Sequence, residues 1–264
     1  MNLTLFRRDF LQNKLLIIII AAVTAMYSIV VISMFDPALG ESLELMMESM
    51  PDLFAAFGMT NAGNTLIEFI ANYLYGFLFV LLPLVLIVIV TNKLVVRPQD
   101  KGTLGWLLAT PVSRSKIAVT KAVTLIYTIL LEILWILLCC IGASEILFSG
   151  ELDIPQFLLL NSGLFCLLSL FGGICFCSGC IFSDSTLGTG VGSGICIAFV
   201  LLQMLSQVGE ETEWLKYLTP LTLFDSTSIA QGDFSVVPIL MLLLASIFFF
   251  GMGIFVFCKK DFSV

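Results

Sequence analysis

Six apolar runs, near residues 15–35, 69–92, 118–141, 156–182, 187–206 and 237–258, dominate this 264-residue chain. Crossing about 30 Å of hydrocarbon takes about 20 apolar residues in a helix, and only helices or closed barrels satisfy every backbone polar group in lipid. The pattern predicts an all-α integral membrane protein with six transmembrane helices. Charged residues make up 12% of the chain, about half of the roughly 25% usual in soluble domains. No intervening segment is long enough for a soluble domain, so residues 1–264 read as a single transmembrane domain.

The cations are segregated by loop, and this sets the expected topology. Arg7, Arg8 and Lys14 precede the first run, Lys93, Arg97, Lys101, Arg114, Lys116 and Lys121 lie around the second loop, and Lys259 and Lys260 follow the last run. Lys216 alone falls on the other side. The positive-inside rule then puts both termini in the cytoplasm of a multi-pass cell-membrane protein. Arg7-Arg8 before an apolar stretch is similar to a twin-arginine export signal, but the stretch continues to Phe35, longer than a signal-peptide core. Residues 1–14 are instead expected to form an interfacial helix on the inner leaflet, with Leu3, Phe6, Phe10 and Leu11 on its apolar side.

Between the second and third runs lies a polar island, residues 97–117, which must emerge in water. Within it Leu104, Trp106, Leu107 and Leu108 form an apolar knob too short to cross a bilayer. Pro111 can end a short helix and Ser113 can cap the next. A knob exposed to water costs free energy, so it calls for a protein socket or for the lipid headgroups, where Trp is at home.

Two further features carry alternatives. Glu132 lies eleven positions beyond Lys121, about 16 Å along a helix and so near the membrane midplane. It is either a functional intramembrane carboxyl or a protonated group hydrogen-bonded to Thr128 or to a neighbouring helix. Gly188, Gly190, Gly192 and Gly194 form two interleaved small-xxx-small pairs, which suit close helix packing in lipid within the chain or against a second subunit. The bland alternative is an irregular helix start.

The eight cysteines, with Cys175-x-Cys177-x-x-Cys180 the tightest cluster, lie in or at the edges of the runs. There they act as small apolar residues, and no metal is expected. With no histidine in the chain, histidine-based catalysis is excluded. No nucleic-acid partner is expected.

Gly102-Thr103-Leu104, Leu107-Leu108-Ala109-Thr110-Pro111-Val112-Ser113-Arg114 and Lys121 together resemble the stretch between the second and third spans of ATP-binding-cassette (ABC) permeases of the type-2 exporter class. Leu218-Thr219-Pro220-Leu221-Thr222-Leu223-Phe224-Asp225 is similar to the outer segment of that class before the sixth span, and Met50-Pro51-Asp52-Leu53 with Phe57-Gly58 is similar to its first outer loop. The resemblance implies a cytoplasmic coupling helix at the island and outer re-entrant helices before span six. It also implies two copies of a separate ABC ATPase and a second permease subunit, identical or homologous. Where members carry several acids before the Gly-Thr, Arg97-Pro98-Gln99-Asp100-Lys101 leaves one carboxylate. The chain has no Gly-x-x-x-x-Gly-Lys-Ser/Thr phosphate loop. It is therefore expected to be a transport subunit without cofactor, the ATP and Mg belonging to the partner. Spans rich in Phe and Met suit an amphipathic peptide or lipophilic compound as substrate. The competing readings are an ion-coupled secondary transporter and ABC-driven ion or lipid export; a membrane enzyme or an immunity-type protein fits less well.

Overall fold

A computed structural model of the chain describes residues 2–36, 45–47, 49–57, 63, 65–100, 112–208, 210–232 and 235–260. Among the described residues, six helices are long and apolar enough to cross a membrane. They are α1 (Leu3–Ser33), a second helix Leu78–Gln99 whose regular part is α2 (Leu78–Thr91), α3 (Arg114–Leu147), α4 (Ile154–Ile181), α5 (Ser185–Ser206) and α6 (Val236–Lys259). Shorter helices are named below by their residues.

α4 and α5 start where the local chemistry dictates. The Asp153 carboxylate caps α4 by accepting from the Gln156 amide at 3.3 Å, with Pro155 in the first turn. Asp184 caps α5 by accepting from Thr186 at 2.6 Å. Each cap satisfies amides that a helix start leaves orphaned.

The N-terminal segment departs from expectation. Residues 1–14 do not form a separate surface helix; α1 is continuous for 31 residues, about 46 Å at 1.5 Å per residue. The reason lies in the sequence: no Gly or Pro occurs between Leu3 and Ser33, and the Asn2 side chain caps the start by accepting from Thr4 and Leu5. Phe6 and Phe10 pack edge-on against Tyr127 of α3, at 5.4 and 5.7 Å between ring centroids.

The inward stripe of α1 is polar: Asp9, Asn13, Thr24 and Ser28 are buried while Leu15, Ile18, Met26 and Val30 are exposed. α3 answers with buried Thr120, Lys121, Thr124, Thr128 and Glu132. In lipid, leucine gains nothing by facing inward, whereas polar groups gain partners there, so the amphipathic logic is reversed.

α4 is the axis of the bundle: 89% of its apolar window is buried, against 22% for α1, α5 and α6. Small residues make this possible. A Cβ at Gly172 would lie 3.0 Å from Ile129 of α3, one at Gly173 3.2 Å from the Ser246 carbonyl of α6, and one at Gly179 2.9 Å from Val96.

The second span is irregular. Thr65 and Glu68 form a capping box that starts Leu66–Ile70, a π turn spans Ala71–Tyr75, and the chain breaks at Gly76–Phe77 before α2. The break lies upstream of Pro83, where the sequence predicts a kink; α2 runs through Pro83. After α2 come a second π turn, Asn92–Val96, and a short helix, Arg97–Asp100.

At the end of the bundle away from the termini, the segment before α6 folds as broken helices, Glu210–Leu218 and Pro220–Leu223 in 3-10 form and Ser226–Gln231 in α form. Leu221 and Phe224 are buried against the bundle, whereas Tyr217 is 81% exposed. Single cysteines at Leu221 or Phe224, in a cysteine-free background, are therefore expected to react with a membrane-impermeant thiol reagent at least tenfold more slowly than one at Tyr217. Equal rates at the three positions would show a loop free of the bundle.

Candidate functional site

The island predicted to couple the chain to a partner falls largely outside the described residues, which include neither Gly102, Thr103, Leu104, Trp106, Leu107, Leu108 nor Pro111. Its two roots are described and converge. Val112 packs against the core, Ser113 occupies the N-cap position of α3 without a capping bond from its hydroxyl, and Arg114 begins the helix.

Lys260, just past α6, joins the two roots. Its ammonium donates to Gln99 Oε1 at 3.1 Å and to the carbonyls of Cys180 and Ile181 at 3.0 Å. Arg114 Nη1 donates to the Lys260 carbonyl at 3.0 Å, and Gln99 Nε2 to the Gly179 carbonyl at 2.9 Å. The last carbonyls of α4 have no helical donor, and a cation at a helix C-terminus supplies one along the dipole. Burial pushes the Lys260 ammonium below its ordinary pKa. Residues 99 and 114, which flank residues 101–111 within the island, are thus fixed to one point at the end of the bundle where α1 begins and α6 ends.

One layer deeper lies a feature that the sequence reading missed. Lys121 is 2% exposed and forms an ion pair with Asp9, also 2% exposed, at 3.4 Å. The same ammonium donates to the Leu94 carbonyl at 2.5 Å. Leu94 lies in the π turn Asn92–Val96, where the backbone donor is five residues on, and the α-type donor position, Pro98, has no N–H to offer that carbonyl. Arg8 gives Asp9 a second, more exposed partner at 3.2 Å. Removing one member of a buried pair costs about 3–5 kcal/mol because the other charge stays buried. The overlooked signal is the set of polar residues four apart, Asp9 and Asn13, Thr24 and Ser28 on α1 and Thr120, Thr124, Thr128 and Glu132 on α3, with Lys121 one position from the last series.

Glu132 is buried on the α1–α3 seam. Its Oε1 accepts from Thr24 at 3.1 Å, while Oε2 has no partner among the described residues. Thr128, the partner considered from the sequence, donates instead to the Thr124 carbonyl. One turn from Glu132, Trp135 Nε1 donates to the Ala21 carbonyl at 2.8 Å.

The α5 glycines separate into two faces. A Cβ at Gly192 would lie 3.0 Å from Cys175 Cα, and one at Gly188 3.1 Å from Val96, so this pair packs inside the chain. Gly190 and Gly194 meet nothing within 4 Å. Asn92 Nδ2 donates to Thr189 Oγ1 beside this contact.

At the opposite end of the bundle, a cavity of about 380 Å³ is lined by Tyr75, Gln203, Gln207, Glu213, Lys216 and Asp225, among others. Burial pushes the Asp225 carboxyl up, but hydrogen bonds from Ser228 and Thr227 outweigh it and hold the group below its usual range. Because the folded value is depressed, its stabilising contribution is present at neutral pH and is lost as pH falls through that value. Asp225→Ala is expected to cost about 1 kcal/mol as a lost helix cap, read as faster amide exchange in 226–231 at pH 7 and as no difference from wild type in strong acid.

Comparison with protein families supplies the remaining evidence. The model described as ABC-2 family transporter protein matches residues 7–262, nearly the whole chain. No curated protein matches the sequence at a significant level. With that match spanning all six membrane helices, the chain belongs to the ABC-2 family of transporter proteins, as a multi-pass membrane permease.

Proposed function

We propose that this permease forms the membrane pathway of an ATP-driven exporter and receives its energy through residues 97–117 from a separate ABC ATPase. The observation that carries this reading is the convergence of Gln99 and Arg114 on Lys260, which anchors both roots of an apolar-tipped segment at the end shared by the two termini. That end is read as cytoplasmic from the cation count. Two ATPase copies, which hold the ATP and Mg, and a second permease subunit, identical or homologous, complete the transporter in the cell membrane. A push on the two segments switches the bundle between inward and outward access, provided that ATP binds the two states with different affinity. An amphipathic peptide or lipophilic compound suits a pathway rich in Phe and Met.

Reconstitution of the permease with its ATPase in liposomes tests this reading. ATP-dependent movement of a labelled amphiphile away from the ATPase side is the expected result, and movement driven by an ion gradient without ATP would replace it with a secondary transporter. Glu132, with one carboxyl oxygen unpartnered among the described residues, is the observation that keeps ion coupling as the second reading.

A further inference from the structure

We infer that Asp9 and Lys121 are positioning residues that join the roots of the coupling segment to the N-terminal helix, so that displacement of the segment is delivered to α1. The inference rests on the reading of residues 97–117 as the coupling segment and adds the route by which its motion enters the membrane. Three elements meet at one ammonium: α1 through Asp9, the π turn that leads into the segment through Leu94, and α3, which leads out of it, through Lys121 itself.

The chemistry makes this junction directional in its consequences. Apolar contacts between helices are replaced by lipid contacts at little cost when helices part in a bilayer. A buried ion pair is not replaced, since separation leaves two charges without water. The remaining polar ties of α1, Asn2 to Thr120, Thr24 to Glu132 and Trp135 to Ala21, also run to α3. α1 otherwise presents most of its surface outward. It is therefore tied chiefly to α3, and Lys121 binds this pair of helices to the Leu94 root one layer deeper than the tie through Arg114, Lys260 and Gln99.

Pro98 provides a discriminating variant. If Lys121 only satisfies the Leu94 carbonyl, Pro98→Ala, which offers that carbonyl an α-type backbone donor four residues on, makes Lys121 dispensable. If Lys121 is a mechanical link, Pro98→Ala satisfies the carbonyl without connecting the helices. The single variant Lys121→Met leaves Asp9 buried with only its Arg8 partner and is expected to destabilise the fold, whereas the double variant Asp9→Asn/Lys121→Met removes both buried charges together and is the one that tests the link.

The experiment compares wild type, Lys121→Arg, Lys121→Met, Asp9→Asn/Lys121→Met and the last with Pro98→Ala added, each in the assembled permease–ATPase complex in liposomes. The number of amphiphile molecules moved per ATP hydrolysed is measured beside thermal unfolding. The double variant is expected to lose at least tenfold in molecules moved per ATP, and Lys121→Arg to keep most of it. Adding Pro98→Ala recovers thermal stability and not the coupling ratio. An unchanged ratio in the double variant, or recovery of ratio and stability together by Pro98→Ala, overturns the inference. If the wild-type complex shows no ATP-driven transport, the coupling reading itself has failed. The link is then judged on the permease alone by the distance distribution between spin labels at Leu11→Cys and Arg97→Cys. Broadening in the double variant but not in Lys121→Arg upholds the link, and an unchanged width overturns it.

Discussion

Leu107→Asp is expected to lower ATP-driven transport about 100-fold while the six-helix bundle stays folded. If the apolar knob seats in a partner socket, as proposed, the substitution places there a carboxylate that must be desolvated without a counter-charge. A penalty of several kcal/mol is usual for such a burial, and 1.4 kcal/mol corresponds to a factor of ten. The bundle is spared because the substitution lies in the island between α2 and α3, whose roots are held independently through Gln99, Arg114 and Lys260. Trp106→Ala removes area without adding charge, so about a tenfold loss is expected. Thermal unfolding and transport are measured on the same purified complex, and normal transport with Leu107→Asp would remove the knob from the account.

The second large effect belongs to the interface between α4 and α5. A Cβ at Gly192 would stand 3.0 Å from Cys175 Cα and 3.1 Å from Ser178 Cβ, so Gly192→Leu forces the two helices apart. Overpacking costs about 1–3 kcal/mol. Separation also strains the bond from Ser178 Oγ to the Gly188 carbonyl, 2.9 Å long, whose loss adds about 1 kcal/mol. A clear drop in the melting temperature of the detergent-solubilised permease is expected. Gly190→Leu, which enters open space, should leave that temperature nearly unchanged. Equal destabilisation by the two substitutions would contradict the assignment of faces, and loss of assembly mass with Gly190→Leu alone would mark its face as a contact between permease subunits.

The spans were legible where the residue types act alone. α4 and α5 begin within two residues of expectation because Asp153 and Asp184 are strong caps next to apolar runs. Where function of a residue depends on its environment, the sequence was misleading. Asp9 and Asn13 look like the water-facing side of a surface helix, yet both are buried, because hydrocarbon offers polar groups no partners and they find them inside the bundle, Asp9 on Lys121 and Asn13 on the Asp9 carbonyl. Lys121 was counted with the loop cations, although α3 extends to Arg114 and encloses it. Its partners, a carboxylate from α1 and the carbonyl of Leu94, are 112 and 27 positions away, and no local pattern encodes such a meeting. The GTL…PVSR stretch was readable as a motif, whereas the tying of its roots by Lys260 was not, since that lysine lies some 160 residues from Gln99 in sequence, 161 by position.

The central claim is that the apolar tip of the island seats on an ATPase, and the most direct measurement is contact at that tip. A photo-crosslinking amino acid placed at Leu107 and activated in native membranes, with and without ATP, reports what lies within a side chain's length. The account predicts a covalent adduct with the ABC ATPase subunit, abolished when Trp106 and Leu108 are replaced by Asp in the same chain. Adducts with lipid alone, in membranes where the two subunits copurify, would place the knob at the headgroups and contradict it.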